Sequence, residues 1–268
     1  SADGRLATIN DEKSFAKLGA RVRETRTGIA YAFVDYYAIP AYHVRHLWDA
    51  DAPTGDRYRS CDLRKHAVRL EAGSDRSLPV PLDLIARVKY DYMGYDQDFV
   101  EYDSDAWTTG LTAVVRPARG VRIDLGYALR KLTARGYDEV GETPETSDDS
   151  DISYEQDEYT LRVRWDLGHD VSDIPTVLTF GAKLSQRFYQ TDREVADDPY
   201  HAAREDTYWT FTGRSAHELS DRVTLEVFYE HRRRSSESQY VEELGLSKDY
   251  TADRVGLRLI FEGERFLD

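Results

Sequence analysis

Apolar and polar residues alternate through most of this chain. Over residues 82–92, Leu82, Leu84, Ala86, Val88, Tyr90 and Tyr92 fall on one side of an extended strand, and Asp83, Ile85, Arg87, Lys89 and Asp91 on the other. The same period of two recurs. Val121, Ile123, Leu125, Tyr127 and Leu129 oppose Arg122, Asp124, Gly126, Ala128 and Arg130; Tyr159, Leu161, Val163, Trp165 and Leu167 oppose Thr160, Arg162, Arg164 and Asp166. Leu178, Phe180, Ala182 and Leu184 oppose Thr179, Gly181, Lys183 and Ser185, and comparable ladders run through 223–230 and 254–261. Helical periodicity is scarce. The alternation predicts about twelve strands, at 15–24, 28–37, 41–48, 59–72, 80–93, 105–116, 120–133, 157–168, 175–189, 206–219, 222–233 and 252–262. The join at 38–40 is read as a turn at Pro40; without it, 28–48 is one long strand and the count is eleven.

The connections alternate in length. Short ones fall near 38–40, 73–79, 117–119, 169–174 and 220–221, and longer ones near 49–58, 94–104, 134–156, 190–205 and 234–251. Strands of roughly 9–11 residues with one apolar face, joined by short turns at one end and long loops at the other, are the pattern of a barrel that crosses a bilayer. The fold class expected is all-β: an antiparallel, up-and-down transmembrane β-barrel. Residues 1–14 are expected to be an N-terminal periplasmic segment, 15–262 the barrel and 263–268 a short C-terminal tail.

The end of the chain carries a family signal. Arg254-Val255-Gly256-Leu257-Arg258-Leu259-Ile260-Phe261 resembles the C-terminal β-signal of Gram-negative outer-membrane barrels, with a glycine two residues after a polar one and a closing aromatic. Residues 262–268 extend beyond the usual terminal aromatic. The resemblance, to small porin-like barrels, implies the cell outer membrane, outer-membrane lipids as surroundings and the barrel-assembly machinery as partner during biogenesis.

Composition refines this picture. The 268 residues carry 50 acidic and 36 basic groups, a net charge of −14, which argues against nucleic-acid binding. A single cysteine, Cys61, excludes a disulfide framework. Nineteen tyrosines and four tryptophans gather toward strand ends, as at a membrane interface. Ten acidic and no basic residues lie in 136–158, read as a solvated external loop able to meet a protein partner or a divalent cation. The polar strand faces are basic instead. Arg87, Lys89, Arg116, Arg122, Arg130, Arg162, Arg164, Lys183, Arg214, Arg232, Arg254 and Arg258 share the polar parity and are the residues expected to line a lumen. Asp83, Asp91, Asp124, Asp166, Glu218, Glu226 and Glu230 share it too and can pair with them.

Catalytic patterns are missing. His217 and Ser220 differ in parity, as do His43 and His46, so neither pair builds a nucleophile–base couple or a metal site. His231 takes the apolar-side parity. There is no phosphate-binding glycine loop and no haem or zinc-protease motif. The expectation is a non-enzymatic protein without cofactor. It would be a passive outer-membrane channel with a basic lumen, favouring small anionic solutes or acidic oligosaccharides. The alternative is a non-conducting structural barrel that anchors or sheaths a secreted fibre, a lipoprotein or a multihaem cytochrome.

Overall fold

A computed structural model describes residues 16–22, 31–48, 58–73, 82–95, 97–143, 147, 151–168, 174–191, 193–242 and 244–261, with side chains from residue 64 onward. Its described residues form one antiparallel sheet of eleven strands in sequence order. These are β1 (Ala16–Val22), β2 (Tyr31–Trp48), β3 (Tyr58–Gly73), β4 (Leu82–Tyr95), β5 (Ser104–Ala118), β6 (Val121–Ala134), β7 (Tyr154–Asp166), β8 (Thr176–Tyr189), β9 (Arg204–Ser220), β10 (Val223–Ser238) and β11 (Tyr250–Phe261). A short 3-10 segment (Gln97–Tyr102) follows β4, and a five-residue helix, α1 (Leu244–Lys248), precedes β11. The N-terminal segment and the C-terminal tail expected from the sequence lie outside the described residues.

Among the described residues eleven strands replace the expected twelve, because Tyr31–Trp48 is one strand where two were expected. In β2 the pairing with β3 shifts between Ile39 and Tyr42 and again between His43 and Arg45. Pro40 sits in the first irregularity, where the missing amide hydrogen disrupts no ladder bond, so the chain continues without turning. The odd count gives β1 and β11 the same direction, and among the described residues no pairing joins them.

Several strands outrun their sequence-based limits. β7 begins at Tyr154 rather than 157, and β10 reaches Ser238 rather than 233. The added residues, such as Arg234-Ser235-Ser236-Glu237, are polar on both faces, so alternation disappears there while backbone pairing continues. The β5–β6 hairpin turns at Gly120, whose φ of 77° is left-handed. Its carbonyl accepts the Asp166 amide of β7 at 2.8 Å, a close approach that leaves no room for a Cβ.

The two faces differ sharply. On one, Leu70, Leu84, Leu111, Leu125, Tyr127, Leu129, Tyr159, Leu161, Trp165 and Phe180 are exposed, with Trp107 at 56% and Leu257 at 74%. They form a continuous band from β3 to β11, with a shallow groove between Leu111, Leu125, Tyr159, Leu161 and Trp209. Soluble monomers rarely leave so wide an apolar surface uncovered. At the loop end the band stops at a repeated pair. The Tyr90 hydroxyl donates to Asp105, the Tyr127 hydroxyl to Asp157 at 2.5 Å and the Tyr229 hydroxyl to Asp253 at 2.7 Å. Lys131 meets Glu155 at 3.3 Å on the same face. Toward the loop end of this face, apolar surface therefore gives way to charge.

The opposite face is concave and holds what core there is. At its loop end Ala106, Leu132, Ala134 and Tyr154 are buried together, with Met93, Ile152 and Tyr189 packed against them. Near the other end, the Phe228 ring of β10 lies over Gly256 of β11, between the Arg254 and Arg258 guanidiniums at 5.3 and 5.9 Å. A Cβ on Gly256 would collide with that ring. Gly256→Ala is therefore expected to destabilise the folded protein by about 1–3 kcal/mol. Adding Phe228→Ala should relieve much of that loss in a double-mutant cycle read by urea unfolding.

Candidate functional site

The central feature of the concave face is a cavity of about 950 Å³ touched by residues of seven strands, β3 to β9. Strand parity puts its polar lining on one side of the sheet, and register sets the order of these residues along it. Arg69 lies opposite Lys89, and Lys89 opposite Thr108. One level away, Arg87 lies opposite Gly110, Gly110 opposite Ala128 and Ala128 opposite Glu158. At the next level Thr112, Gly126, Thr160, Lys183 and Thr210 follow one another from β5 to β9. The middle of the wall is thus small and hydroxyl-bearing. Gly126 and Gly181 lie beneath the hydroxyls of Thr160 and Thr212, which would strike any Cβ placed there. Glycine and threonine at these positions keep the space from being filled by long side chains.

Charge surrounds this floor. The lining includes Arg69, Arg87, Lys89, Arg122, Arg162 and Lys183 against Asp124 and Glu158. Some of this charge is paired across or along strands. Arg87 binds Glu71, Lys89 reaches Asp91 at 2.7 Å, Arg122 Nε reaches Asp124 at 2.7 Å, and Lys183 reaches Glu158 at 2.5 Å. Asp91 is fully buried and also takes Lys65 at 3.2 Å. The cavity keeps a positive surplus because these lining cations outnumber the acids that face them.

Of the twelve cations the sequence singled out, Arg87, Lys89, Arg122, Arg162 and Lys183 meet at the cavity. The other seven share the face and not the cavity. Arg116 binds Asp83, Arg214 and Arg258 both turn to Glu226, Arg232 meets Glu230 at 2.9 Å, and Arg254 stacks on Phe228. Arg130 lies 5.9 Å from the Tyr154 ring, and Arg164 stands opposite Arg122. Sequence reasoning missed Arg69, whose strand alternates poorly, and the Gly–Thr floor, whose residues carry no charge to draw attention.

A second polar assembly, also missed, occupies the loop end of the concave face. Asp206 is fully buried. Arg204 holds both of its oxygens, at 3.0 and 2.9 Å; Arg234 donates to Oδ2 at 2.8 Å, and the Tyr208 hydroxyl at 3.2 Å. The two guanidiniums and the hydroxyl offset the cost of burying the carboxylate. Beside it, the Arg187 guanidinium lies 4.1 Å over Tyr154, and Arg204 lies 4.3 Å over Tyr189. Loops close over this assembly: buried Arg193 donates to the Gly136 carbonyl at 3.0 Å, tying the β8–β9 connection to the β6–β7 connection.

Other sequence candidates resolve locally. Both ring nitrogens of His217 are engaged, by Thr176 at 3.0 Å and Ser215 at 2.8 Å, and not by Ser220. His231 meets Asp253 at 2.9 Å on the apolar side. In the acidic stretch, Glu155, Asp157 and Glu158 belong to β7 rather than to a loop, and Asp151 is buried, accepting the Ser153 amide at 2.9 Å. Among the described residues, no group of three or more His, Cys, Asp or Glu side chains is placed to hold a metal ion. Comparison with protein-family models, with curated proteins and with solved structures finds no match to this chain.

Proposed function

We propose that this chain forms an outer-membrane channel through which small anionic solutes or acidic oligosaccharides diffuse passively. The observation that carries the reading is the back-to-back placement of an exposed apolar band and a basic, glycine-floored cavity on the two faces of one sheet. Lipid suits the first face and a water-filled lumen the second. The twelve cations named from the sequence stand on the lumen side of this reading, five of them at the cavity. Outer-membrane lipids surround the band, and the barrel-assembly machinery inserts it through the β11 signal.

Single-channel recording of the full-length protein, refolded in detergent and inserted into a planar bilayer under a KCl gradient, tests this. Steady conductance is expected, with a reversal potential that favours chloride. Reversing charge at Arg87 and Lys89 together should move that potential toward potassium. Cation preference in the unmodified protein would overturn the basic lumen, and silence from a folded barrel would overturn the channel.

One observation favours a second reading, a non-conducting structural barrel. The loop end of the concave face is packed with Leu132, Tyr154 and the stacked Arg187, which narrows any path there. Such a barrel would hold a protein partner at the connected loops.

A further inference from the structure

At the edge of the cavity, where its wall runs on to Arg164, one place carries more cation than its surroundings neutralise. Arg122 of β6 stands directly opposite Arg164 of β7 in the register, and Arg162 stands directly opposite Asp124. Side chains on facing positions of paired strands start about 5 Å apart, and like charges placed so repel. Two acids stand at this crossing: Asp124 is held by Arg122 at 2.7 Å, and Asp166, two residues from Arg164 on the same face, accepts the Gly168 amide at 3.1 Å. Among the described residues, Arg162 and Arg164 have no carboxylate within ion-pair distance, and both are exposed to the concave space. Four other arginines of the face have an acid: Arg116 has Asp83, Arg214 and Arg258 have Glu226, and Arg232 has Glu230. Three guanidiniums against two carboxylates leave a positive charge over, and among the described residues neither Arg162 nor Arg164 is paired.

The floor beside this surplus suits a ligand. Arg162 pairs in register with Gly181, where no side chain projects. The Thr160 and Thr212 hydroxyls lie over the two glycines next to it. Guanidiniums present forked donors that match two oxygens of a carboxylate or phosphate, and hydroxyls add further donors. We infer that Arg122, Arg162 and Arg164, with Thr160 and Thr212, form a binding station for a dianionic oxyanion, a hydrogenphosphate or a dicarboxylate. A bound dianion would offset the local surplus and relieve the Arg122–Arg164 repulsion together. The inference rests on the channel reading only for the route by which solute arrives.

Binding is measured on full-length protein folded in detergent, by titration calorimetry at constant ionic strength. The probes are inorganic phosphate, succinate, acetate and chloride. Saturable binding of phosphate or succinate is expected, with acetate and chloride at least tenfold weaker; which dianion binds better separates the two sources. Arg162→Gln and Arg164→Gln should each weaken binding about tenfold or more. Arg119→Gln removes the same charge from the adjoining hairpin turn and should change binding less than twofold. A response that never saturates, or equal loss in Arg119→Gln, would overturn the station in favour of diffuse charge. Conductance is recorded on the same preparations. Saturable binding in a barrel that passes no current would keep the station and overturn the channel. Anion current without saturable binding would do the reverse.

Discussion

Asp206→Ala is expected to cost about 3–5 kcal/mol of folding stability, the range for leaving a buried charge without its partner. The reason is geometric. Arg204 is nearly as buried as Asp206 and gives it two hydrogen bonds, while Arg234 adds a third from the next strand. Removing the carboxylate strands two guanidiniums in a space already crowded by Tyr189 and Tyr208. Asp206→Asn keeps the shape and two of the bonds and should cost less. Urea midpoints check this, and a cost for Asp206→Ala below about 1 kcal/mol would mean that water reaches the cluster.

This cluster also marks where sequence reading stops. Parity is a local property: Leu125 and Asp124 must face opposite ways in any extended strand, so the apolar band and the basic face could be assigned from a single strand at a time. Register is not local. That Asp206 would meet Arg234, or that Arg122 would face Arg164 rather than an acid, depends on how far each strand slides against its neighbour. Those offsets are set by connections and bulges whose geometry has no periodic signature. The merged β2 shows the same limit from the other side. Pro40 reads as a turn in isolation, yet an irregularity in the pairing with β3 absorbs it. Strand ends were misjudged where both faces become polar, because the apolar alternation ends with the band, and the backbone ladder does not. The cavity was legible as a surplus of arginine on one parity. Its glycine and threonine floor was not, since small uncharged residues become a site only through the groups placed around them.

Leu125→Arg is the substitution that separates a lipid-facing band from one that meets water. Leu125 lies midway along β6 on the apolar side, 50% exposed, with Ala113 and Leu161 as its register neighbours. An exposed leucine in water can be replaced by arginine within about 0.5 kcal/mol, because the long side chain simply extends into solvent. At the middle of a bilayer the same change costs about 2–4 kcal/mol, falling toward zero near the interfaces. The chain supplies its own reference for the interface, since Lys131 and Glu155 already stand on this face at the loop end. Arginine scanned through Val121, Leu125 and Leu129 in lipid vesicles should therefore trace a profile with its greatest cost at Leu125. The flanking positions should fall lower on both sides, measured by reversible urea unfolding. In detergent micelles, whose thickness adapts to a charge, the profile should flatten. The height of the band supports the expected shape: seven to nine alternating residues at about 3.3 Å each, tilted by about 40°, span roughly 18–23 Å, close to the apolar layer such barrels present. A uniform cost near zero in vesicles would mean that this face meets water or a protein partner, and the channel reading would fall with it.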